Sequence, residues 1–179
     1  FESQGFKELD ARFRYLIDIQ GMGLVTGEVG SGKTTAVRRL VEMLHPGTHK
    51  AVYVHPSTVS TIDLYRTVAL GFGLEPITNR VRLFAQIRDE VERLANTKKI
   101  RPVLVIDEAQ LLRNSVLDDL RLLTNFHMDS LNVLTIILVG QTEFRRKLQF
   151  VAHEAFSQRL AVRFHLDGIK RSEISEFIA

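Results

Sequence analysis

The stretch Gly27–Thr34, GEVGSGKT, decides the fold, because it matches the pattern G-x-x-x-x-G-K-[ST] at every defined position. An apolar strand is predicted immediately before it, at Gly23–Thr26, and a helix at its end, at Thr34–Leu44. Glycines let a backbone adopt positive φ angles and approach a polyphosphate, while the amides at a helix N-terminus attract anions. This stretch therefore predicts a phosphate-binding loop.

Each part of this phosphate loop has a predicted task. We expect Lys33 to reach the β- and γ-phosphates as a mobile cation, and the Thr34 hydroxyl to ligate Mg²⁺. The three glycines are expected to adopt positive φ angles, so that the loop amides point inward. The alternative, a glycine-rich turn that caps a helix, leaves the adjacent Lys–Thr pair unexplained. The predicted nucleotide-binding residues are Gly27, Glu28, Val29, Gly30, Ser31, Gly32, Lys33, Thr34 and Thr35.

Outward from the loop, apolar runs alternate with amphipathic segments along the whole chain, a pattern typical of α/β folds. The apolar runs at 103–106 and 133–139 are unbroken, as strands covered on both faces by helices must be. We therefore predict a three-layer fold around a five-stranded parallel sheet. The predicted strands are Gly23–Thr26, Ala51–Val54, Val103–Ile106, Val133–Val139 and Val162–Leu166. The predicted helices include Phe6–Ile19, with Phe6, Leu9, Phe13, Leu16 and Ile17 on one face, and Arg80–Ala95, with Val81, Phe84, Ile87, Val91 and Leu94 on one face.

Two carboxylates, Asp107 and Glu108, directly follow the apolar run Val103–Ile106. Ligands of open parallel sheets collect at the carboxyl ends of the strands, so we expect Asp107 to face the phosphate loop and to bind Mg²⁺. Glu108 is expected to accept a proton from, or to orient, the water that attacks the γ-phosphate. The alternative is that one of the two carboxylates caps a helix at Ala109–Leu112. The adjacent acids favour ATP hydrolysis over a small-molecule kinase, and the Asn-Lys-x-Asp motif of a GTPase does not occur.

Two further residues are weaker candidates. Gln141 follows the fourth strand directly and could lie between Glu108 and the γ-phosphate, or it could be an ordinary turn residue. Arg159, just before the fifth strand, is a candidate for an arginine finger that reaches the γ-phosphate of a neighbouring subunit. A single arginine is usually solvated, and three others compete for this role: Arg145, Arg146 and Arg163.

The amino-acid composition and charge limit the classes of fold, metal site and location that this chain can have. A chain of 179 residues, 45% hydrophobic and 25% charged, suits one globular domain, and the absence of cysteine excludes disulfide scaffolds and zinc–thiolate sites. The longest apolar stretch, 131–140, is half of the roughly 20 residues that cross a bilayer, so we expect no membrane span here and a cytoplasmic location. The formal charge of +3 and the pI near 9.4 permit contact with polyanions, but a mildly basic surface explains them equally well. Both ends are expected to be cut from a longer polypeptide.

The segments GEVGSGKTT, VLVIDEAQLL, LRLLTNFHMDS, ILVGQTEF and FSQRL, in this order, resemble the AAA+ ATPases of the ExeA/GspA type and their transposase-associated TniB/TnsC relatives, the latter most closely. The resemblance implies a P-loop NTPase fold with strand order 5-1-4-3-2, bound ATP and Mg²⁺, and an active site completed between subunits of a homo-oligomer. It also implies that Gln141 is the first sensor and Arg159 the arginine finger. Residues 1–168 are expected to form the nucleotide-binding domain, and 169–179 to begin a helical lid that is mostly missing.

Three functions follow from this resemblance. The first is an ATP-dependent helper of DNA transposition, which would assemble on duplex DNA and regulate a transposase. The second is a secretion or cell-envelope ATPase of the ExeA type, and the third is a nucleotide-dependent switch or scaffold with slow turnover. The candidate contacts to DNA phosphates are the loop His55–Thr61, Arg80 and Arg82, although a solvated loop and ordinary helix-surface arginines explain any one of them better.

Overall fold

The computed structural model describes residues 4–55, 60–124 and 132–167, and within them five strands form one parallel sheet in the order β2-β3-β4-β1-β5. This order is the predicted one, read from the opposite edge. Every residue of the central strands β1 and β4 is buried, because helices cover both faces of the sheet. The strands are β1 (Met22–Thr26), β2 (His49–Val54), β3 (Arg101–Ile106), β4 (Thr135–Gly140) and β5 (Leu160–His165).

Helical connections join successive strands and form the two outer layers. The Asn79 side chain caps the longest of these helices by accepting a hydrogen bond from the Arg82 N–H at 3.0 Å. The helices are α1 (Gln4–Ile19), α2 (Lys33–Glu42), α3 (Thr61–Phe72), α4 (Arg80–Asn96), α5 (Asn114–Leu123), α6 (Thr142–Lys147) and α7 (Glu154–Ser157), with short 3-10 turns at Ala109–Leu111 and Val151–His153.

Side chains that alternate along β3 divide the core into two layers. Val103 and Val105 pack with buried residues of α1 and α2 on one face of the sheet. Leu104 and Ile106 pack with buried residues of α3, α4 and α5 on the other face. Since every second side chain of a strand points to the same face, Asp107 continues the row that faces α2.

The predicted helix faces are confirmed with one correction. On α1, Leu9, Phe13, Leu16 and Ile17 are buried and Phe6 packs against them in part. On α4, the predicted Val81 is wrong, because its side chain is 77% exposed in the first turn of the helix, beyond the edge of the core. Four buried residues at spacings of four, four and three form the contact face of α4: Leu83, Ile87, Val91 and Leu94.

The strand register brings the loops that follow β1, β3 and β4 to one edge of the sheet. Thr26 pairs with Gly140, so the phosphate loop and Gln141 start at the same level. Ile106 pairs with Leu138, which puts Asp107 one strand further from β1. The sheet thus places every group of the predicted nucleotide site at its carboxyl edge, except Arg159.

The proposed start of a helical lid, at 169–179, lies outside the described residues. Within the described ranges, no helix combines the length and the apolar character needed to cross a membrane.

Candidate active site

The phosphate loop connects β1 to α2 and turns tightly around its own backbone. Gly30 and Gly32 have φ angles of 79° and 83°, which L side chains rarely adopt. The Ser31 N–H donates to the Glu28 carbonyl at 3.1 Å, closing the turn. The first N–H groups of α2 have no partner within a helix, so they are available to an anion at this point.

The prediction that all three loop glycines have positive φ angles is wrong for Gly27, whose φ is not positive. A Cβ atom at this position would lie 2.5 Å from the Ser31 Oγ and 2.6 Å from the Leu166 carbonyl oxygen. Glycine is therefore required here by a close approach, in which the end of β5 touches the start of the phosphate loop. The Leu166 N–H donates to the Thr26 carbonyl at 2.7 Å and holds the two segments together.

Lys33 is folded into the loop rather than extended into solvent. Its side chain is only 7% exposed, and its Nζ donates to the Glu28 carbonyl at 3.2 Å. The Ser31 Oγ is buried and makes no hydrogen bond within the described part of the chain. A buried cation, an orphaned hydroxyl and helix N-terminal amides form a donor set that fits a polyphosphate.

Asp107 is buried at the same edge of the sheet as this loop, and both of its carboxylate oxygens accept hydrogen bonds. Its Oδ1 accepts from the Glu108 N–H at 2.8 Å, and its Oδ2 accepts from the Tyr53 hydroxyl at 2.5 Å. Burial, the hydrogen bond to Asp107 and its charge raise the pKa of Tyr53 above its usual range. Asp107 and the Thr34 hydroxyl offer oxygen ligands, which fits Mg²⁺, an ion that keeps several waters.

Glu108 stands in a strained backbone conformation, with φ 49° and ψ 40°. The left-handed region costs a non-glycine residue about 1–2 kcal/mol, and such conformations cluster at functional sites. Glu108 precedes the 3-10 turn at 109–111, but its side chain makes no capping bond, so the capping alternative is not supported.

Two glutamine amides hold the Glu108 carboxylate. The Gln110 Nε2 donates to the Glu108 Oε2, and the Gln141 Nε2 lies 3.4 Å from the same oxygen. The Gln141 N–H donates to the Gln110 Oε1 at 3.1 Å, so the three side chains form one network. The sequence interpretation missed Gln110, although its position two residues after Glu108 in IDEAQ was visible.

The phosphate loop is also tied to α6, which Gln141 precedes. The Glu28 Oε1 accepts from the Thr142 hydroxyl at 2.7 Å. This contact joins the side of the loop to the N-terminal turn of α6.

Arg159 lies at the opposite end of the sheet from the phosphate loop. The next residue, Leu160, pairs with Met22 at the start of β1, whereas the loop follows Thr26. Four residues of strand separate these levels by about 13 Å. Arg159 is half-buried.

Of the competing arginines, Arg163 donates to the Ser157 carbonyl, and Arg145 and Arg146 are exposed on α6. Within the described part of the chain, these observations show no contact between the three arginines and the phosphate loop.

Comparisons with known proteins find similarity over most of the chain. The AAA domain family matches residues 17–148, a range that includes the phosphate loop, Asp107, Glu108 and Gln141. General secretion pathway protein A of Aeromonas hydrophila is 35% identical over 182 residues, covering 99% of this chain and 33% of that protein. The chain therefore spans about a third of the length of this relative.

Two solved structures share the fold. The ORC2 protein of Aeropyrum pernix, in ADPNP–ADP complexes, has a TM-score of 0.69 at 19% identity, covering 96% of this chain and 49% of that one. The ORC1 protein of Aeropyrum pernix, in complex with DNA, has a TM-score of 0.65 at 15% identity, covering 99% of this chain and 49% of that one. These likenesses extend to the fold alone, which is a three-layer α/β fold of the AAA+ type.

Substitution of Gly27 by alanine tests the close approach at the start of the loop. The added methyl group would overlap the Leu166 carbonyl, which is backbone and cannot turn away. We expect Gly27→Ala to weaken ATP binding at least tenfold in an equilibrium titration. The matched control is Gly47→Ala, whose methyl group would meet only the His45 ring in an exposed turn. Equal affinity of both variants and the parent would contradict the assigned role of Gly27.

Proposed function

This chain belongs to the AAA domain family, and we propose that it binds and hydrolyses Mg-ATP at a site completed by a neighbouring subunit. The observation that carries the proposal is the convergence of Lys33, Asp107 and Glu108 at one edge of the sheet. A cation, a metal-ligating carboxylate and a second carboxylate held by amides are the groups that phosphoryl transfer to water requires.

Binding is the task of the loop and the first turn of α2. The loop amides and Lys33 hold the phosphates, and Lys33 exchanges its bond with the Glu28 carbonyl for the nucleotide. Thr34 and Asp107 would hold Mg²⁺, which would supply positive charge to the phosphates of the nucleotide. Electrostatic positioning of this kind supplies most of the catalysis in phosphoryl transfer.

Hydrolysis depends on Glu108 and the two glutamines. Glu108 orients the attacking water and accepts its proton at the carboxylate. Gln110 holds this carboxylate, and Gln141, which follows β4, contacts Glu108 and would reach the γ-phosphate of a bound nucleotide. Because Gln110 and Gln141 also bond to each other, the carboxylate is restricted to one orientation.

The biological setting that we propose first is a secretion or cell-envelope machine. Its support is the 35% identity with general secretion pathway protein A over nearly the whole of this chain.

The second candidate is a helper of DNA transposition, with which the basic composition of the chain is compatible. Polyanion binding needs exposed cations, and Arg82 is exposed near the N-terminus of α4. Arg80 is a weaker candidate, because it forms an ion pair with Asp119. Of the candidate loop His55–Thr61, residues 56–59 lie outside the described ranges.

Two variants separate binding from hydrolysis. Lys33→Ala should abolish ATP binding, because the β- and γ-phosphates lose their cation, whereas Glu108→Gln should bind ATP and lose hydrolysis by at least 100-fold. Nucleotide titration and phosphate release on the full-length protein measure the two effects. Lys50→Ala and Asp118→Asn, which change exposed charges of the same types, are the controls. Turnover by Glu108→Gln at the parental rate would exclude Glu108 as the base.

Mixing experiments test whether Arg159 acts on a neighbouring subunit. Arg159→Ala and Lys33→Ala should each be inactive alone, and their mixture should recover part of the hydrolysis, since an intact phosphate loop then meets an intact finger. Arg14→Ala in place of Arg159→Ala is the control, because Arg14 is exposed on α1 and forms an ion pair with Asp10; this variant should hydrolyse ATP on its own. Absence of recovery in demonstrated mixed assemblies would exclude a shared site.

Duplex DNA titrations separate the two biological settings. A transposition helper should bind duplex DNA only with ATP or a non-hydrolysable analogue, with affinity that falls steeply as salt rises. Arg82→Gln should then reduce the salt dependence, whereas Arg93→Gln, paired with Glu90 on the same helix, should not. Lack of nucleotide-dependent binding at low salt would exclude the transposition function and leave the secretion-type function.

A further inference from the structure

The Tyr53 side chain makes a contact that the proposed reaction does not by itself explain. Its hydroxyl donates to the Asp107 Oδ2 at 2.5 Å, and Asp107 is only 2% exposed. Tyr53 lies on β2, whereas the phosphate loop follows β1, on the far side of β3 and β4. The hydroxyl therefore reaches Asp107 from the side opposite to the loop.

The strand register makes this contact specific. Tyr53 pairs with Val105, and the Asp107 N–H donates to the carbonyl of Val54 at 2.9 Å. Because alternate residues of a strand share a face, Val105 and Asp107 point to the same side as Tyr53. The tyrosine side chain is long enough to reach from its own level, that of Val105, to Asp107, which lies two residues further along. A phenylalanine would keep the ring but lose the donor.

The Tyr53 ring is held in place by α2, the helix that the phosphate loop starts. The Arg38 guanidinium lies 5.7 Å from the ring centroid, in the range of a cation–π contact. Arg38 is four residues after Thr34, one helical turn from the predicted Mg²⁺ ligand. The ring therefore packs between β2 and the helix that carries Thr34.

Two hydrogen bonds, one to each oxygen, fix the orientation of the Asp107 carboxylate. The Glu108 N–H occupies one lone pair of Oδ1, and the Tyr53 hydroxyl occupies one lone pair of Oδ2. Each carboxylate oxygen has two lone pairs, so each retains one for a metal or for a metal-bound water. Mg²⁺ demands near-ideal octahedral geometry, which a carboxylate free to rotate about its last torsion does not provide.

We propose that Tyr53 is a positioning residue, which fixes the Asp107 carboxylate for Mg²⁺ that enters with the nucleotide. This inference rests on the proposed ATP-binding function. Partners that orient a metal ligand are worth about 10–100-fold in metal affinity. Asp107 supplies only part of the Mg²⁺ shell, so the lower end of that range, about tenfold, applies here.

The test is the Mg²⁺ dependence of nucleotide binding, measured on the full-length protein with a fluorescent ATP analogue in EDTA and at increasing Mg²⁺. Tyr53→Phe should raise the Mg²⁺ concentration at half-maximal enhancement about tenfold and leave the affinity in EDTA unchanged. In an Asp107→Asn background, the same substitution should have no further effect on Mg²⁺ dependence, because its target is gone.

Tyr65→Phe is the matched control. Tyr65 is buried and, like Tyr53, donates to a carboxylate, that of Asp119, but it lies on α3 rather than on a strand of the sheet. Both variants should lower the midpoint of thermal unfolding, and only Tyr53→Phe should shift the Mg²⁺ dependence. A parental Mg²⁺ midpoint in folded Tyr53→Phe, or an equal shift in Tyr65→Phe, would overturn the inference. Failure of the parent itself to bind the analogue would instead overturn the proposed function.

Discussion

Parallel pairing of β1 with β4 on one side and with β5 on the other is the constraint on which the rest of the structure depends. It places the start of the phosphate loop beside the end of β4, where Gln141 begins its turn. It also brings the Leu166 carbonyl so close to Gly27 that a side chain there has no room. The loop is therefore supported by two neighbouring strands, and its glycines serve both backbone conformation and close packing.

The strained Glu108 backbone follows from the same arrangement. If Glu108 were extended, it would simply prolong β3. Its left-handed conformation instead starts the 3-10 turn, in which the Gln110 amide contacts the Glu108 carboxylate. The cost of about 1–2 kcal/mol is small beside the stability of the buried sheet below it. The strain is thus concentrated at the residue whose side chain requires a particular direction.

The sequence predicted the elements whose chemistry is local. The phosphate loop, the unbroken apolar runs and the acids at the end of β3 each depend on adjacent residues, and the strand order came from the family resemblance. Residues whose environment depends on distant elements escaped prediction. Val81 fits the helical period but lies past the core edge, and Gly27 is required by a contact with β5, 139 positions along the chain.

Tyr53 and Gln110 escaped prediction for a related reason. A tyrosine in a short strand has the composition of a core residue, and nothing adjacent to it shows that its hydroxyl meets an acid 54 positions away. Gln110 was close in sequence to Glu108, but a helix at this point would have placed its amide elsewhere than the observed 3-10 turn does. Sequence spacing therefore predicts the candidate site residues Asp107 and Glu108, but it does not predict the side chains that position them.

The two consecutive acids are held from opposite sides, which separates their tasks physically. β3 lies between β2 and β4, so Asp107 receives its side-chain partner from β2 and Glu108 receives Gln141 from the end of β4. In the proposed function, the acid that binds Mg²⁺ would thereby be linked to α2 through Tyr53 and Arg38. The acid that activates water would be linked to α6 through Gln141 and the Thr142–Glu28 contact. The side-chain contacts of the two acids are therefore different: the Tyr53 hydroxyl holds the Asp107 carboxylate, and the two glutamine amides hold the Glu108 carboxylate. In the proposed function, an arginine from a neighbouring subunit would add a positive charge at the γ-phosphate, between the two acids. Neither the Tyr53 contact nor the two glutamine contacts supply such a charge.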